Sequence, residues 1–209
     1  MAFTSLRQWL AELESKGFLQ HVYKEVDLRF ELAAVGKKAD GRYALQFDNL
    51  PNQSMSVVTG IASTRKLLAR AMGVSRNEVV QHFAKAQANP LESVVVDAVS
   101  APVKERVSSS VDLRQLPIPI FHEKDGGPYI TAGVLVAKDP QTGVRNVSIH
   151  RLQVLGPDRL GILILPRHLA HFYRMAEAMA KPLEVAIAIG LDPSVLLASQ
   201  ALTPPGYDE

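Results

Sequence analysis

Arg145-Asn146-Val147-Ser148-Ile149-His150-Arg151-Leu152-Gln153 is the densest polar run in the chain, and Leu160-Gly161-Ile162-Leu163-Ile164-Leu165 follows it almost wholly apolar. Both have strand length, and the turn residues Gly156-Pro157-Asp158 separate them. The polar run sits inside a predicted strand over 144–155, preceded by another over 129–137 across the turn Asp139-Pro140-Gln141-Thr142-Gly143. Asp125-Gly126-Gly127-Pro128 turns the chain into the first of these strands. Successive strands on short turns predict antiparallel pairing, hence a barrel or an open sheet. A helix over about 167–180, a strand over 183–189 and a helix opened by Asp192-Pro193 and running to about Ser199 complete this half.

The polar strand has two readings. One is a solvated sheet face, and the other is a wall of a ligand cavity inside a closed sheet. Strict alternation puts Asn146, Ser148 and His150 on one side and Arg151 on the other. For Asn146 and Arg151 to serve one site, the strand pairing needs a bulge, or backbone groups must take part.

Before residue 105 the pattern is that of a small α/β unit. Ser5 can cap a helix whose Leu6, Trp9, Leu10 and Leu13 share a face, and Gly17 ends it. Alternation over 18–26 predicts a strand with Phe18, Gln20, Val22, Lys24 and Val26 on one face, and Asp27 is placed to cap a second helix reaching Lys38. Strands are expected over 43–50 and 56–61 around Leu50-Pro51-Asn52. Ser63 and Ser75 are expected to open helices that turn Leu67, Leu68 and Met72, then Val79, Val80, Phe83 and Ala86, inward, with Asn89-Pro90 as the stop. The prolines of Leu116-Pro117-Ile118-Pro119 exclude a helix interior, and a boundary near residue 105 divides the chain into 1–105 and 106–209.

Composition removes several classes of function. With 47% hydrophobic and 21% charged residues the chain is not a disordered one. No apolar run approaches the ~20 residues of a membrane helix, and Met1-Ala2-Phe3-Thr4-Ser5 leads into an amphipathic helix rather than a secretory signal. Zero cysteines exclude disulfides, thiol catalysis and Cys-ligated metals, and make the cytoplasm the default compartment. A net charge of +2 from scattered basic residues is no nucleic-acid footprint. Neither a G-x-G-x-x-G nor a P-loop nor a G-x-S-x-G elbow occurs, and Gly126-Gly127 reads as a turn. His168 and His171 share a helix face at metal-compatible spacing, a pattern that unrelated surface or core histidines also produce. Leu165-Pro166-Arg167-His168 places positive side chains and free N–H groups where an anion can bind.

Several linked motifs, in order, resemble the UbiD family of reversible decarboxylases. They are Asp112-Leu113-Arg114-Gln115-Leu116-Pro117-Ile118-Pro119, Asp125-Gly126-Gly127-Pro128-Tyr129-Ile130-Thr131 and Gly143-Val144-Arg145-Asn146-Val147. Ile149-His150-Arg151, Pro166-Arg167-His168, Lys181-Pro182-Leu183-Glu184-Val185-Ala186 and Gly190-Leu191-Asp192-Pro193 continue the series. The resemblance implies an α+β chain: a small amino-terminal α/β domain, then an incomplete flavin-reductase-like split β-barrel that holds prenylated FMN. It implies a divalent metal, usually Mn2+, on Asn146, His168 and Glu209, with K+ nearby; oxygen donors plus one imidazole suit such an ion. Ile149, His150 and Arg151 are then expected to line the flavin, and Arg167, Ser199, Gln200 and Ala201 to surround its phosphate and ribityl chain. Arg151 is the expected catalytic residue, holding the substrate carboxylate and supporting an acid–base carboxylate.

The implied activity is non-oxidative decarboxylation of an α,β-unsaturated or (hetero)aromatic acid, with a flavin prenyltransferase as cofactor supplier and a homo-oligomer as the full-length state. The two acid–base glutamates of the family belong to segments that do not occur in these 209 residues. Glu123, Glu177 and Glu184 read as surface charges, and Pro204-Pro205-Gly206-Tyr207-Asp208-Glu209 as a turn partway through the second domain. The expectation is therefore an amino-terminal portion that does not turn over alone. The competing expectations are an FMN-binding split-barrel module without decarboxylase activity, and a purely structural or partner-binding fragment.

Overall fold

The computed structural model describes residues 3–91, 93–204 and 206–209; Met1 and Ala2 of the expected signal-free start, and Pro205 of the expected terminal turn, lie outside the described residues. Helix α1 (Leu6–Ser15) forms as its periodicity requires, with the Ser5 hydroxyl accepting from the Gln8 N–H at 3.3 Å and Gly17 at φ 71° leaving the helix. Its inward residues Trp9 and Leu13 are fully buried. The Trp9 indole donates to the Ile61 carbonyl at 2.9 Å, so the largest core side chain brings no unpaired polar atom with it.

Strands β1 (Leu19–Val22), β2 (Ala44–Phe47) and β3 (Val57–Thr59) form one sheet in that order, β1 parallel and β3 antiparallel to β2. Helix α2 (Glu31–Ala39) makes the parallel connection, and α3 (Arg65–Met72) and α4 (Val79–Ala88) follow. The strand expected over 18–26 is only four residues long, and Leu19, not Phe18, is buried. The reason is that core lies on both faces: Leu19 and Ala44 pack with Trp9 and Leu67, while Leu45 and Phe47 pack with Val26 and Leu32. A sheet covered on both sides does not show clean alternation.

Three helix starts differ from expectation. Asp27 does not cap α2; its carboxylate accepts from the Arg29 N–H at 2.8 Å in a turn ahead of the helix, which begins after Phe30 at φ 71°. Thr64, not Ser63, caps α3 by accepting from the Leu67 N–H at 3.2 Å. Helix α4 begins at Val79 rather than beside Ser75, and Val80 is 62% exposed because Val79 is the residue that α4 buries.

The second sheet is antiparallel throughout, as the short turns predict. It runs β6-β5-β4-β7, from β4 (Tyr129–Lys138), β5 (Arg145–Val154), β6 (Leu160–Ile162) and β7 (Val185–Ala188). Helix α5 (His168–Ala178) covers one face, setting Leu169 and Phe172 against Leu135 and Ala137. Helix α6 (Pro193–Ala198) starts at the Asp192 cap, whose carboxylate accepts from the Ser194 N–H at 2.8 Å. Strand β6 pairs only with residues 152–154, so it stops short of the expected 160–165 and leaves the start of β5 uncovered on that edge. Opposite Arg151, the register jumps from Ile130↔Leu152 to Gly133↔His150, so Thr131 and Ala132 face a single β5 residue.

The halves meet where Ile120 pairs in parallel with Arg29 and where the Gln87 amide donates to the Leu202 carbonyl at 2.7 Å. Between them, the connector carries exposed Val94, Val95, Val96, Val99, Val103 and Val107 and forms no strand among the described residues. No helix among the described residues is long and apolar enough to cross a membrane.

Candidate functional site

A cavity of about 580 Å³ opens between β5, the start of α5 and the segment after α6. Asn146, Ile149, His150 and Arg151 line it from β5, Arg167 and His168 from the strand-to-helix junction, and Ser199, Gln200 and Ala201 from the end of α6. Glu209 closes it from the far side. All the residues that the resemblance assigns to metal, cofactor or substrate therefore border one space. Simple alternation would part Asn146 from Arg151, and the two-for-one bulge opposite Arg151 lies in β4, so it leaves the alternation of β5 unchanged; residues 146–151 instead border the cavity consecutively, on the stretch of β5 that β6 leaves uncovered. His171, one turn past His168, is exposed and stays outside the cavity.

Within the cavity, three side chains converge. Asn146 is only 7% exposed, and its Nδ2 donates to Glu209 Oε2 at 2.9 Å and stands 3.4 Å from His168 Nδ1. The Val147 N–H donates to the same Glu209 oxygen at 2.6 Å, and the Thr203 hydroxyl donates to the other. An amide, an imidazole and a carboxylate are a donor set that fits a hard or borderline divalent cation. For that, the Asn146 amide must turn so that Oδ1 rather than Nδ2 faces its neighbours. Among the described residues no cluster of three or more His, Cys, Asp or Glu side chains forms, so this mixed set stands by itself.

The electrostatics of the walls favour an anion. Arg167 occupies the N-cap of α5 without a side-chain capping bond, so the first-turn N–H groups and the positive end of the helix dipole face the cavity. Burial pushes the His150 imidazole below its ordinary value against the raising effect of a backbone hydrogen bond with Leu163; its Nε2 lies 3.0 Å from the Ser148 hydroxyl. At neutral pH His150 is thus an uncharged hydrogen-bonding group. Glu209 is the single carboxylate among the described lining residues, and Glu123, Glu177 and Glu184 are exposed elsewhere.

Sequence reasoning missed Thr203, Arg145 and Asp208. Hydrogen bonds from the Arg145 guanidinium, then from its backbone N–H, pull the Asp208 carboxyl down to about 2. Complementary charge next to Asn146 and Glu209 was the available signal, but the partners are 63 residues apart. A second cavity of about 690 Å³ adjoins the first; Arg151 borders both, and Phe121, His122 and Tyr129 line its other wall.

Residues 94–209 match the family model described as 3-octaprenyl-4-hydroxybenzoate carboxy-lyase Rift-related domain, and residues 10–87 match the corresponding N-terminal domain. The chain is 39% identical over 188 residues to an anhydromevalonate phosphate decarboxylase of Methanothermobacter thermautotrophicus, covering 90% of this chain and 43% of that one. It is 33% identical to a phenolic acid decarboxylase of Sedimentibacter hydroxybenzoicus, covering 99% of this chain and 46% of that protein. A solved structure of an evolved dimeric form of the UbiD-class enzyme HmfF from Pelotomaculum thermopropionicum, in complex with prFMN, superposes with a TM-score of 0.93 at 55% identity. It covers 96% of this chain and 48% of that one. The chain thus spans less than half the length of these relatives.

Proposed function

Because this chain belongs to the UbiD family, we propose that it forms the cofactor- and metal-holding part of a non-oxidative, reversible decarboxylase acting on α,β-unsaturated or (hetero)aromatic carboxylic acids. The observation that carries this reading is the single cavity bordered both by Arg151 and by the Asn146, His168 and Glu209 cluster. On this reading the antiparallel sheet is part of a flavin-reductase-like split barrel, the domains divide near residue 105, and the protein is cytoplasmic. A flavin prenyltransferase supplies the cofactor, and the full-length protein is a homo-oligomer.

Prenylated FMN, when bound, supplies the electron sink for loss of carbon dioxide, and Mn2+ with a nearby K+ supplies positive charge for its phosphate. The residues of this chain do the rest. Asn146, His168 and Glu209 would hold the divalent ion, while Arg167 and the α5 N–H groups would receive phosphate oxygens. Ser199, Gln200 and Ala201 would flank the ribityl chain, and Ile149 and His150 would line the ring, His150 as a neutral hydrogen-bonding partner. Arg151, bordering both cavities, fixes the substrate carboxylate by a bidentate contact and so orients the bond to be broken.

With Glu209 committed to the cluster, the first cavity offers no free carboxylate to return a proton, and Asp125 in the second is taken up by the His122 N–H at 2.9 Å, so these 209 residues alone are expected not to turn over. The same observation favours a second reading, an FMN-binding split-barrel module without decarboxylase activity. Co-expression with a flavin prenyltransferase, followed by absorbance and Mn2+ analysis of the purified chain, tests the shared part. Retained flavin absorbance with stoichiometric metal is expected, and a colourless, metal-free protein refutes both. Supplying the carboxy-terminal half of a relative then separates them. Decarboxylation that Arg151→Ala abolishes supports the first reading, and a flavin-loaded but inert complex supports the second.

A further inference from the structure

We propose that Arg145 and Asp208 form a positioning clamp that sets the distance between Asn146 and Glu209, and so decides whether the cluster can take a divalent cation; this rests on the metal reading above. Arg145 precedes Asn146, and Asp208 precedes Glu209, so locking the first pair fixes the chain positions of the second. The lock is dense. One Asp208 carboxylate oxygen accepts from the Arg145 backbone N–H at 2.7 Å and from its Nε at 3.0 Å, and the other accepts from Nη2 at 2.5 Å. In return the Glu209 N–H donates to the Arg145 carbonyl at 3.2 Å.

A fork-on-carboxylate contact is directional where a lysine would be a movable point charge. Because β6 pairs only with residues 152–154, the edge of β5 beside residues 145–147 is free, and the 207–209 segment lies along it. No sheet ladder holds that segment; the clamp does. The Arg145 guanidinium also donates to the Ser93 hydroxyl at 2.7 Å, which limits its rotation. The ion pair is too exposed to matter much for stability, with side chains 31% and 47% accessible. Its effect falls on geometry.

The test uses the 209-residue chain and two readouts. In the metal-free protein, Asp208→Asn is expected to shift the Asn146 side-chain NH2 resonances while leaving the melting temperature near wild type. In a Mn2+ titration, the same variant is expected to weaken binding ~10- to 100-fold, the range for groups that orient metal ligands. Arg145→Ala should match it, and the double variant Arg145→Ala/Asp208→Ala should lose no more than either single one. Unchanged Asn146 resonances in Asp208→Asn, or losses that simply add in the double variant, overturn the clamp. A wild-type chain that takes up no Mn2+ refutes the metal reading instead, and the resonance measurement still decides whether Arg145 and Asp208 position Asn146.

Discussion

His21 Nδ1 donates to the Asp48 carboxylate at 2.6 Å, while Glu14 lies 3.4 Å from its other ring nitrogen without making a hydrogen bond. The Asp48 hydrogen bond outweighs burial and raises the His21 pKa above 6.5. For Asp48, burial works upward, but hydrogen bonds from Gln46, His21 and Ser56 together bring it below 3.8. His150 moves the other way from His21, down from 6.5 through burial. The linkage signs follow from which state binds more protons. His21 contributes stability below its unfolded pKa and loses it as pH rises through the higher folded value. Asp48 contributes above its ordinary value and loses it as pH falls through the lower one, and His150 costs stability as pH drops below 6.5. NMR titration of the imidazoles should place His21 above and His150 below 6.5, and Asp48→Asn should bring His21 down; a His21 that already titrates at 6.5 or lower contradicts the pairing. Trp9→Ala should cost ~3–5 kcal/mol in urea unfolding, the usual range for a fully buried aromatic. Trp9→Phe should cost ~1–3 kcal/mol, because it strands the Ile61 carbonyl. Trp9 and Leu13 were legible as core because helical period is a local signal. The Arg145–Asp208 pair was not, since nothing local links residues 63 apart.

At the scale of elements, caps were readable where side chain and helix start coincide, as at Ser5 and Asp192, and misread where a turn intervenes, as at Asp27. Asp192 is buried and holds the start of α6, whose far end carries Ser199, Gln200 and Ala201 into the cavity. Asp192→Ala should therefore cost ~0.5–2 kcal/mol, the range for losing an N-cap. It should also speed amide exchange in residues 194–201, and unchanged exchange there would detach α6 from the cavity wall. The β4–β5–β6 meander was legible from its turns, because turn chemistry is local. The bulge opposite Arg151 had one local signal, Gly133 within a strand, where a Cβ would meet Leu152, Ile130 and Ile187 at 3.1–3.3 Å. That the polar strand walls a cavity, rather than facing water, depended on α5 and α6 arriving from later in the chain.

Over the whole molecule, exposed apolar surface concentrates in one place. Val94, Val95, Val99, Val103 and Val107 are all more than three-quarters accessible, in a β-branched stretch that pairs with nothing among the described residues. Such contiguous exposed apolar surface favours association. Light scattering should show concentration-dependent self-association of the chain, and Val95→Lys with Val99→Glu should shift it toward monomer; a wild-type chain that stays monomeric at high concentration excludes this. The Glu209 carboxylate, finally, reaches Val147 and Asn146 across 62 and 63 positions of sequence. That contact ties a ring in the backbone, threaded through α5, β7 and α6, in a chain that has no cysteine to tie one covalently. A permanent link around a ring of that size would remove denatured-state freedom worth about 4 kcal/mol. Here the closure is reversible, so anything that binds only the closed ring stabilises the fold by mass action. A cation held between Asn146 and Glu209 should thus raise the melting temperature, a readout of binding that needs no turnover.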